Sequence, residues 1–184
     1  MADNRETYSI DLAGLRRELT LFEVNTGVRI AVLNILGDTE LVQACARALA
    51  EKLASVEYDV LITAEAKSIP LIHSLAVETG QPYIVLRKTY KPYMGVALSA
   101  ETLSITTGNP QMLYLDAKDR TLIEGKRVML VDDVISTGST LQGMQLVVEK
   151  GGGTVAGYVA ICTEGERAKW ADVIALEHLP IFTD

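Results

Sequence analysis

Short apolar runs alternate along the chain with segments of helical periodicity, and this alternation limits the fold more than any other feature of the sequence. The runs are nearly continuous in apolar residues, which is typical of strands buried on both faces. They cover residues 59–63, 83–87, 127–131, 154–161 and 173–176. Such strands separated by helices predict a single α/β domain, 1–184, with a mostly parallel central sheet flanked by helices.

Three segments have the periodicity and boundary residues of helices. The first, 39–54, repeats apolar residues every fourth position, and Asp38 is predicted to cap it. The second begins after a predicted cap at Ser68 and ends before Gly80, and the third covers 140–150. These boundaries place each helix directly after a strand, as the α/β interpretation requires.

Two stretches lack a clear period. Residues 1–35 are predicted to be irregular, with short strands such as 29–33, and to form a small hood beside the main sheet. Residues 88–110 carry many turn residues and are predicted to form a flexible active-site loop, followed by a strand at 112–115. Sequence reasoning is weakest in these two stretches.

Composition narrows the possible partners. The net charge of −7 argues against nucleic acid, because binding a phosphate backbone requires a basic surface. No apolar run approaches the roughly 18 residues of a membrane span, so no membrane partner is expected. Cys45 and Cys162 have no metal-ligand spacing and are interpreted as reduced core thiols, which, with an N-terminus that lacks an apolar signal, predicts a cytoplasmic protein.

The stretch with the most chemical information is 128–140, which reads VMLVDDVISTGST. An apolar strand leads directly into two acids, Asp132 and Asp133. A loop rich in hydroxyl groups follows before the third helix: Ser136, Thr137, Gly138, Ser139 and Thr140. Backbone N–H groups of such a loop at a helix N-terminus form a natural anion site.

The acid pair suits a different part of the same ligand. Two carboxylates would repel a phosphate, but they can accept hydrogen bonds from ribose hydroxyls or bind Mg²⁺, which prefers oxygen ligands. A sugar phosphate therefore matches both halves of the stretch. The alternative is a helix-capping aspartate, a solvated neighbour and an ordinary polar turn.

Two other strand ends carry unusual residues. The first is Glu65-Ala66-Lys67, and the second is a basic cluster of Arg87, Lys88 and Lys91 in an otherwise acidic chain. Because ligands bind beyond the carboxyl ends of parallel strands, both are predicted to share one rim with Asp132. Each is also compatible with a solvated surface turn.

Three of these segments together resemble the type I phosphoribosyltransferases, most closely the adenine-type enzymes, over most of the chain. EGKRVMLVDDVISTGST is similar to the family's motif for 5-phosphoribosyl 1-pyrophosphate (PRPP). TAEAKSIPLIHSLA looks like its pyrophosphate loop, with Lys67 where arginine is usual, and YIVLRKTYKP is similar to its basic turn. In this family the pyrophosphate loop often carries a cis peptide bond that does not involve proline.

The resemblance implies a role for each candidate residue. Asp132 and Asp133 would be the catalytic acids that contact ribose and Mg²⁺, and the loop from Ser136 to Thr140 would hold the 5′-phosphate. Pyrophosphate binding is implied for a larger set: Glu65, Ala66, Lys67, Arg87, Lys88 and Lys91. A homodimer is also implied, because a basic position in this family can reach the neighbouring subunit's site.

Three departures from the adenine-type pattern leave the identity of the substrate base undecided. Residues 104–108 lack the usual loop glutamate, residues 29–31 read Arg-Ile-Ala instead of Phe-Arg-Asp, and the segment between the flexible loop and the acid pair is longer. The predicted function is a purine phosphoribosyltransferase of purine salvage, with adenine as the leading base. Xanthine, hypoxanthine or guanine remain alternatives, as does a non-enzymatic regulator that senses PRPP or a nucleotide.

Overall fold

The computed structural model describes residues 5–103 and 110–183. Within these residues the chain forms eleven strands and three α-helices. The strands are β1 (Thr7–Leu12), β2 (Leu15–Asn25), β3 (Val28–Val32), β4 (Val60–Ala64), β5 (Tyr83–Leu86), β6 (Leu98–Leu103), β7 (Pro110–Leu115), β8 (Arg127–Ile135), β9 (Thr154–Glu164), β10 (Val173–Leu179) and β11 (Ile181–Thr183). The helices are α1 (Thr39–Leu53), α2 (Ile69–Thr79) and α3 (Ser139–Lys150).

The central sheet has the order β10-β9-β8-β4-β5, and every neighbouring pair is parallel. Helices α1 and α2 contribute to a core on one face, together with residues of the N-terminal strands. Helix α3 and the β6–β7 hairpin contribute to a core on the other face. The predicted α/β fold, with a parallel sheet flanked by helices, is confirmed.

Two of the predicted helix boundaries follow from local chemistry. The Asp38 side chain accepts a hydrogen bond from the backbone N–H of Leu41 at 3.1 Å, which caps α1. Gly80 has φ 69° and ends α2 in the left-handed conformation that glycine adopts at low cost. Ser68 lies at the predicted cap position of α2, but its side chain makes no cap hydrogen bond. Its hydroxyl contacts the carboxylates of Asp132 and Asp133 instead.

The predicted short strand at 29–33 corresponds to β3, but the prediction that the rest of this N-terminal stretch is irregular is wrong for its described residues. Strands β1, β2 and β3 form an antiparallel sheet, and β11 from the end of the chain pairs with β3. Ala13 and Gly14, both at positive φ, form the first turn, and Gly27 at φ 72° lies in the second. One face of this hood sheet is buried through residues such as Leu12 and Leu19, while the other is exposed and mixes polar residues with apolar ones such as Phe22.

Several strands are longer than predicted. β8 was expected to end at Val131 but continues to Ile135, so the acid pair lies inside the hydrogen-bonded ladder, with Asp132 opposite Ala160 of β9. The predicted strand at 112–115 is the second half of the β6–β7 hairpin. The predicted loop 88–110 is described as far as residue 103, and this part includes strand β6 instead of being irregular throughout, while residues 104–109 lie outside the described residues.

Candidate active site

Asp132 and Asp133 are connected through the hydroxyl of Ser68, at the start of α2. Ser68 Oγ lies 2.8 Å from Oδ1 of Asp132 and 2.9 Å from Oδ1 of Asp133, and it accepts a hydrogen bond from the Asp133 backbone N–H at 2.9 Å. A hydroxyl has one proton, so it can donate to only one of the two carboxylates at a time. The structure therefore holds two carboxyl groups close together with one donor between them.

Lys67 neutralises one member of the pair. Its Nζ lies 2.7 Å from Oδ2 of Asp133 and donates to the backbone oxygen of Leu33 at 3.1 Å. Asp133 is buried, whereas the Lys67 side chain remains 41% exposed. Lys67 thus connects Asp133 of the acid pair to the hood.

Burial raises the pKa of Asp132 to about 7, and the negative charge of neighbouring Asp133 acts in the same direction. The hydrogen bond from Ser68 opposes this rise, because it favours the charged form. The raised pKa means that the protein without ligand stores electrostatic strain at this carboxyl group. A bound cation or polyol would relieve that strain by compensating the charge.

Replacement of Asp132 by asparagine is expected to stabilise the ligand-free protein at alkaline pH. The folded pKa of about 7 exceeds the unfolded value near 4, so the contribution of Asp132 to wild-type stability is fully present below pH 4 and is lost as the pH rises through 7. Removing the charge should raise the unfolding free energy at pH 8 by roughly 1–2 kcal/mol, or about 2–6 °C in Tm. Thermal unfolding at pH 5 and pH 8 measures this difference.

The matched control is Asp172→Asn, which removes an exposed carboxylate. The gain of Asp132→Asn should be smaller at pH 5 than at pH 8, and the control should show no such pH dependence. If Asp132→Asn is less stable than wild type at pH 8, the charged Asp132 carboxylate stabilises the folded protein, and the expectation is contradicted.

The loop after the acid pair has the shape of an anion site. Gly138, at φ 82°, is the residue before α3, and the loop borders a cavity of about 120 Å³ that Asp132 also lines. Thr137 Oγ1 and Ser139 Oγ lie 3.1 Å apart at the N-terminus of α3. The N-terminal N–H groups of this 12-residue helix favour an anion there.

One loop hydroxyl is already engaged. Ser136 Oγ donates to Oε1 of Glu164 at 2.6 Å, and Glu164 is buried at the end of β9. The predicted donor role of the Ser136 side chain therefore competes with this carboxylate. Its backbone N–H group is not affected by that competition.

The basic turn and the Glu65 loop meet as predicted, but Glu65 is the centre of the contact. The Glu65–Ala66 peptide bond is cis, as in the family that the sequence resembles. Oε1 of Glu65 accepts from the backbone N–H of Lys88 at 2.7 Å, and Oε2 lies 2.5 Å from Nε of Arg87. The negative charge of Glu65 raises the pKa of Arg87.

Lys91 stands apart from this contact. Its backbone N–H group points to the sulfur of Met94 at 3.3 Å, in the next turn. Beside the Glu65–Arg87 pair lies an open cavity of about 520 Å³, which Tyr93 and Lys118 also line. The structure thus brings Glu65, Arg87 and the backbone of Lys88 together, while Lys67 turns towards Asp133.

Mg²⁺ can be tested against these residues. Nowhere in residues 5–103 and 110–183 do three or more histidine, cysteine, aspartate or glutamate side chains form a group that could hold a metal. Asp132 and Asp133 offer two carboxylates, and the ammonium group of Lys67 already places a positive charge 2.7 Å from Oδ2 of Asp133. Such oxygen donors fit Mg²⁺ if the remaining ligands come from a bound phosphate ester and water.

Sequence reasoning missed four residues around the site. Ser68 was interpreted as a helix cap, and Glu164 was not singled out. Lys169 donates to the backbone oxygen of Thr137 at 3.2 Å, and the ring of Trp170 lies against Gly138. Ser68 belongs to the TAEAKSIPLIHSLA stretch, but no short motif marks the other three residues, which follow the phosphate loop by about 30 residues.

A parallel sheet with an acid pair and an anion-binding loop at the carboxyl ends of its strands is an α/β architecture suited to a phosphorylated sugar. The family model described as phosphoribosyl transferase domain matches residues 32–177. The chain belongs to this phosphoribosyltransferase family.

Relatives with different base names match the chain about equally well. It is 31% identical to an adenine phosphoribosyltransferase of Kosmotoga olearia, over 71% of this chain and 74% of the relative. It is also 31% identical to a hypoxanthine/guanine phosphoribosyltransferase of Methanocella paludicola, over 64% of this chain but 58% of the relative. The chain thus spans less than two thirds of the length of that second relative.

Solved structures agree on the fold. An adenine phosphoribosyltransferase from Thermoanaerobacter pseudethanolicus superposes with a TM-score of 0.70 at 23% identity, over 87% of this chain and 95% of that chain. The corresponding enzyme from Saccharomyces cerevisiae, solved with adenine and an imino-altritol bisphosphate, gives a TM-score of 0.62 at 20% identity, over 94% and 92%. No helix among the described residues is long and apolar enough to span a bilayer.

Proposed function

We propose that this protein is a purine phosphoribosyltransferase of purine salvage, which transfers the 5-phosphoribosyl group of PRPP to a purine base and releases pyrophosphate. The observation that carries the proposal is the Asp132–Asp133 pair. It is tied to Ser68 at the carboxyl end of β8, immediately before the Gly138 loop. A polyol site and an anion site lie next to each other there, as a ribose phosphate requires.

The reaction replaces one bond at C1′ with another. The bond from C1′ to the pyrophosphate oxygen breaks, and its electron pair leaves with pyrophosphate. A base nitrogen forms the new bond to C1′, and the proton of that nitrogen passes to the departing pyrophosphate or to water. Positive charge develops on the ribose, and the nearby carboxylates of Asp132 and Asp133 stabilise it electrostatically while they orient the ribose hydroxyls.

The remaining predicted residues divide between the two ends of PRPP. The loop from Ser136 to Thr140 holds the 5′-phosphate through backbone N–H groups and hydroxyls. Arg87 and Lys88, the backbone around Ala66, and Lys91 form the pyrophosphate side. Lys67 is paired with Asp133 at 2.7 Å. Binding of the ribose and Mg²⁺ at the carboxylates would release its ammonium group towards pyrophosphate.

Mg²⁺ is part of the proposal. Asp132 and Asp133 would hold it, directly or through water, and the ion would supply positive charge to the leaving pyrophosphate. The raised pKa of Asp132 supports this role, because a cation at the carboxyl group would favour its charged form. The protein's own contribution is the fixed spacing of the two carboxylates on one strand.

Adenine is the leading base, and hypoxanthine, guanine and xanthine are the alternatives. The test is a panel of purine and pyrimidine bases with PRPP and Mg²⁺, scored by pyrophosphate release. Release that depends on a purine supports the proposal. PRPP binding without release for any base would support the regulator instead, and no PRPP binding would overturn both functions.

We also propose that the protein acts as a cytoplasmic homodimer. Cys45 and Cys162 are both free and buried, which suits a reducing compartment. Several apolar side chains of α2, β5 and the following segment are exposed: Val77, Tyr83, Tyr93 and Val96, of which Val96 is 87% exposed. Tyr83 and Tyr93 line the same open cavity as Glu65, and the rings of His73 and Tyr83 are in contact, which joins α2 to β5 at this surface. Exposed patches of this kind mark interfaces.

The double variant Val77→Glu, Tyr83→Glu is expected to be monomeric. Four carboxylates would meet at the two-fold interface, since each change occurs in both subunits. Light scattering after size-exclusion chromatography should give the mass of two chains for wild type and of one chain for the variant. Phe22→Glu, on the exposed face of the hood, is the control. Dissociation by the control alone would place the interface on the hood.

A further inference from the structure

The segment from Glu164 to Trp170 contacts three successive residues of the phosphate loop. Glu164 Oε1 accepts from Ser136 Oγ at 2.6 Å, and Lys169 Nζ donates to the backbone oxygen of Thr137 at 3.2 Å. The Trp170 ring packs against Gly138 so closely that a Cβ at position 138 would lie 2.7 Å from its Cη2 atom. Each of the first three loop residues thus has its own partner.

The segment is itself fixed by internal contacts. The indole N–H of Trp170 donates to the backbone oxygen of Glu164 at 2.9 Å, and the Lys169 ammonium lies 4.7 Å from the centre of the Trp170 ring. The backbone oxygen of the next residue, Gly165, lies 2.9 Å from Nε2 of His178 in β10. Glu164, Lys169 and Trp170 therefore form one connected unit through the backbone of Glu164, and this unit is anchored on β9 and β10 of the central sheet.

Charge gives Lys169 a separate role. Glu164, Asp132 and Asp133 place three carboxylates around the loop, and Lys67 compensates one of them through its contact with Asp133. A 5′-phosphate entering the loop would meet the field of these acids. Lys169 is the cation that touches the loop backbone in the part of the chain that the structure describes, so it offsets that field at Thr137.

We propose that Glu164, Lys169 and Trp170 are positioning residues for the 5′-phosphate of PRPP. Together they hold the loop so that its N–H groups point at the phosphate, and Lys169 lowers the electrostatic cost of bringing a dianion next to the acids. This inference rests on the proposed function. It also assigns the Ser136 hydroxyl to Glu164, which leaves the Ser136 backbone N–H to face the ligand.

The test uses Lys169→Gln, with Lys169→Arg as the conservative variant. Lys52→Gln is the control, because Lys52 is an exposed residue of α1. Steady-state kinetics should show a KM for PRPP raised about three- to ten-fold in Lys169→Gln, with kcat within about two-fold of wild type. Lys169→Arg should restore KM to within about two-fold, and Lys52→Gln should not change it. A merely structural role would not separate KM from kcat in this way.

A second measurement does not depend on turnover. Trp170 is the single tryptophan of the chain, so its fluorescence reports on the loop directly. Titration with ribose 5-phosphate should change the emission of wild type, and Lys169→Gln should need about three to ten times more ligand. Lys169→Gln values within two-fold of wild type in both assays would overturn this inference alone. No binding of ribose 5-phosphate or PRPP to wild type would overturn it together with the proposed function.

Discussion

Asp133→Asn is expected to lower kcat/KM for PRPP by about 10²–10⁴-fold while the fold is retained. The carboxylate loses its charge towards the ribose and Mg²⁺, and each hydrogen bond to a charged group contributes about 1.5–3 kcal/mol. The substitution keeps the shape of the side chain, and its ion-pair partner Lys67 is partly exposed and can be solvated. Pyrophosphate release and thermal unfolding, measured on the same preparation, test both halves of this expectation.

The double variant Asp132→Asn, Asp133→Asn should have no measurable activity. The single variant Asp132→Asn distinguishes the roles of the two acids. It should stabilise the ligand-free protein and still lose PRPP-dependent turnover. Asp172→Asn, with its exposed side chain, is the control for the loss of one acidic charge. A folded double variant with full activity would remove the acid pair from the catalytic assignment.

The central sheet was predictable because parallel strands buried on both faces have to be apolar along their whole length. The hood was not predictable in the same way. β2 mixes polar residues with the exposed apolar residues Phe22 and Val24, and the edge of β3 is covered by β11, which lies about 150 residues later in the chain. A short, half-exposed strand gives a weak local signal, and its pairing partner cannot be read from neighbouring residues.

The candidate site was predictable where its residues share one loop. Asp132, Asp133 and the loop from Ser136 are consecutive, so the order of residue types alone indicates their chemistry. Ser68 is 64 residues from Asp132, and a serine before a helix has the same sequence signature whether it caps the helix or binds a carboxylate. The direction of the Lys67 side chain is likewise set by packing against the hood, which sequence periodicity does not describe.

The second large expected effect is on the rate with which the protein uses different purine bases. Three hood residues replace the aromatic, basic and acidic residues that adenine-type enzymes usually have. Arg29 forms an ion pair with Glu6 at 2.5 Å, Ile30 lies opposite Ile181 of β11, and Ala31 is buried. These contacts commit the three residues to the hood sheet. Side-chain recognition of a purine by this stretch is therefore not expected.

We expect adenine to turn over with a kcat/KM below about 10⁴ M⁻¹s⁻¹, at the low end of ordinary enzyme values. Each polar group of a bound purine that lacks a partner costs about 1–3 kcal/mol, so one missing hydrogen bond lowers turnover by about one to two orders of magnitude. Steady-state kinetics with adenine, hypoxanthine, guanine and xanthine at saturating PRPP measure both the value and the ranking.

Backbone groups offer a route by which adenine can still be a good substrate. Asn34 Oδ1 already accepts from the Leu36 backbone N–H at 3.2 Å, and the Leu33 carbonyl accepts from Lys67 at 3.1 Å. If Lys67 moves towards pyrophosphate when PRPP binds, the Leu33 carbonyl becomes available to the amino group of adenine. A kcat/KM for adenine above about 10⁴ M⁻¹s⁻¹ would contradict the side-chain argument and indicate such backbone recognition. Hypoxanthine and guanine, whose 6-oxo group cannot donate to a carbonyl, would then be poorer substrates.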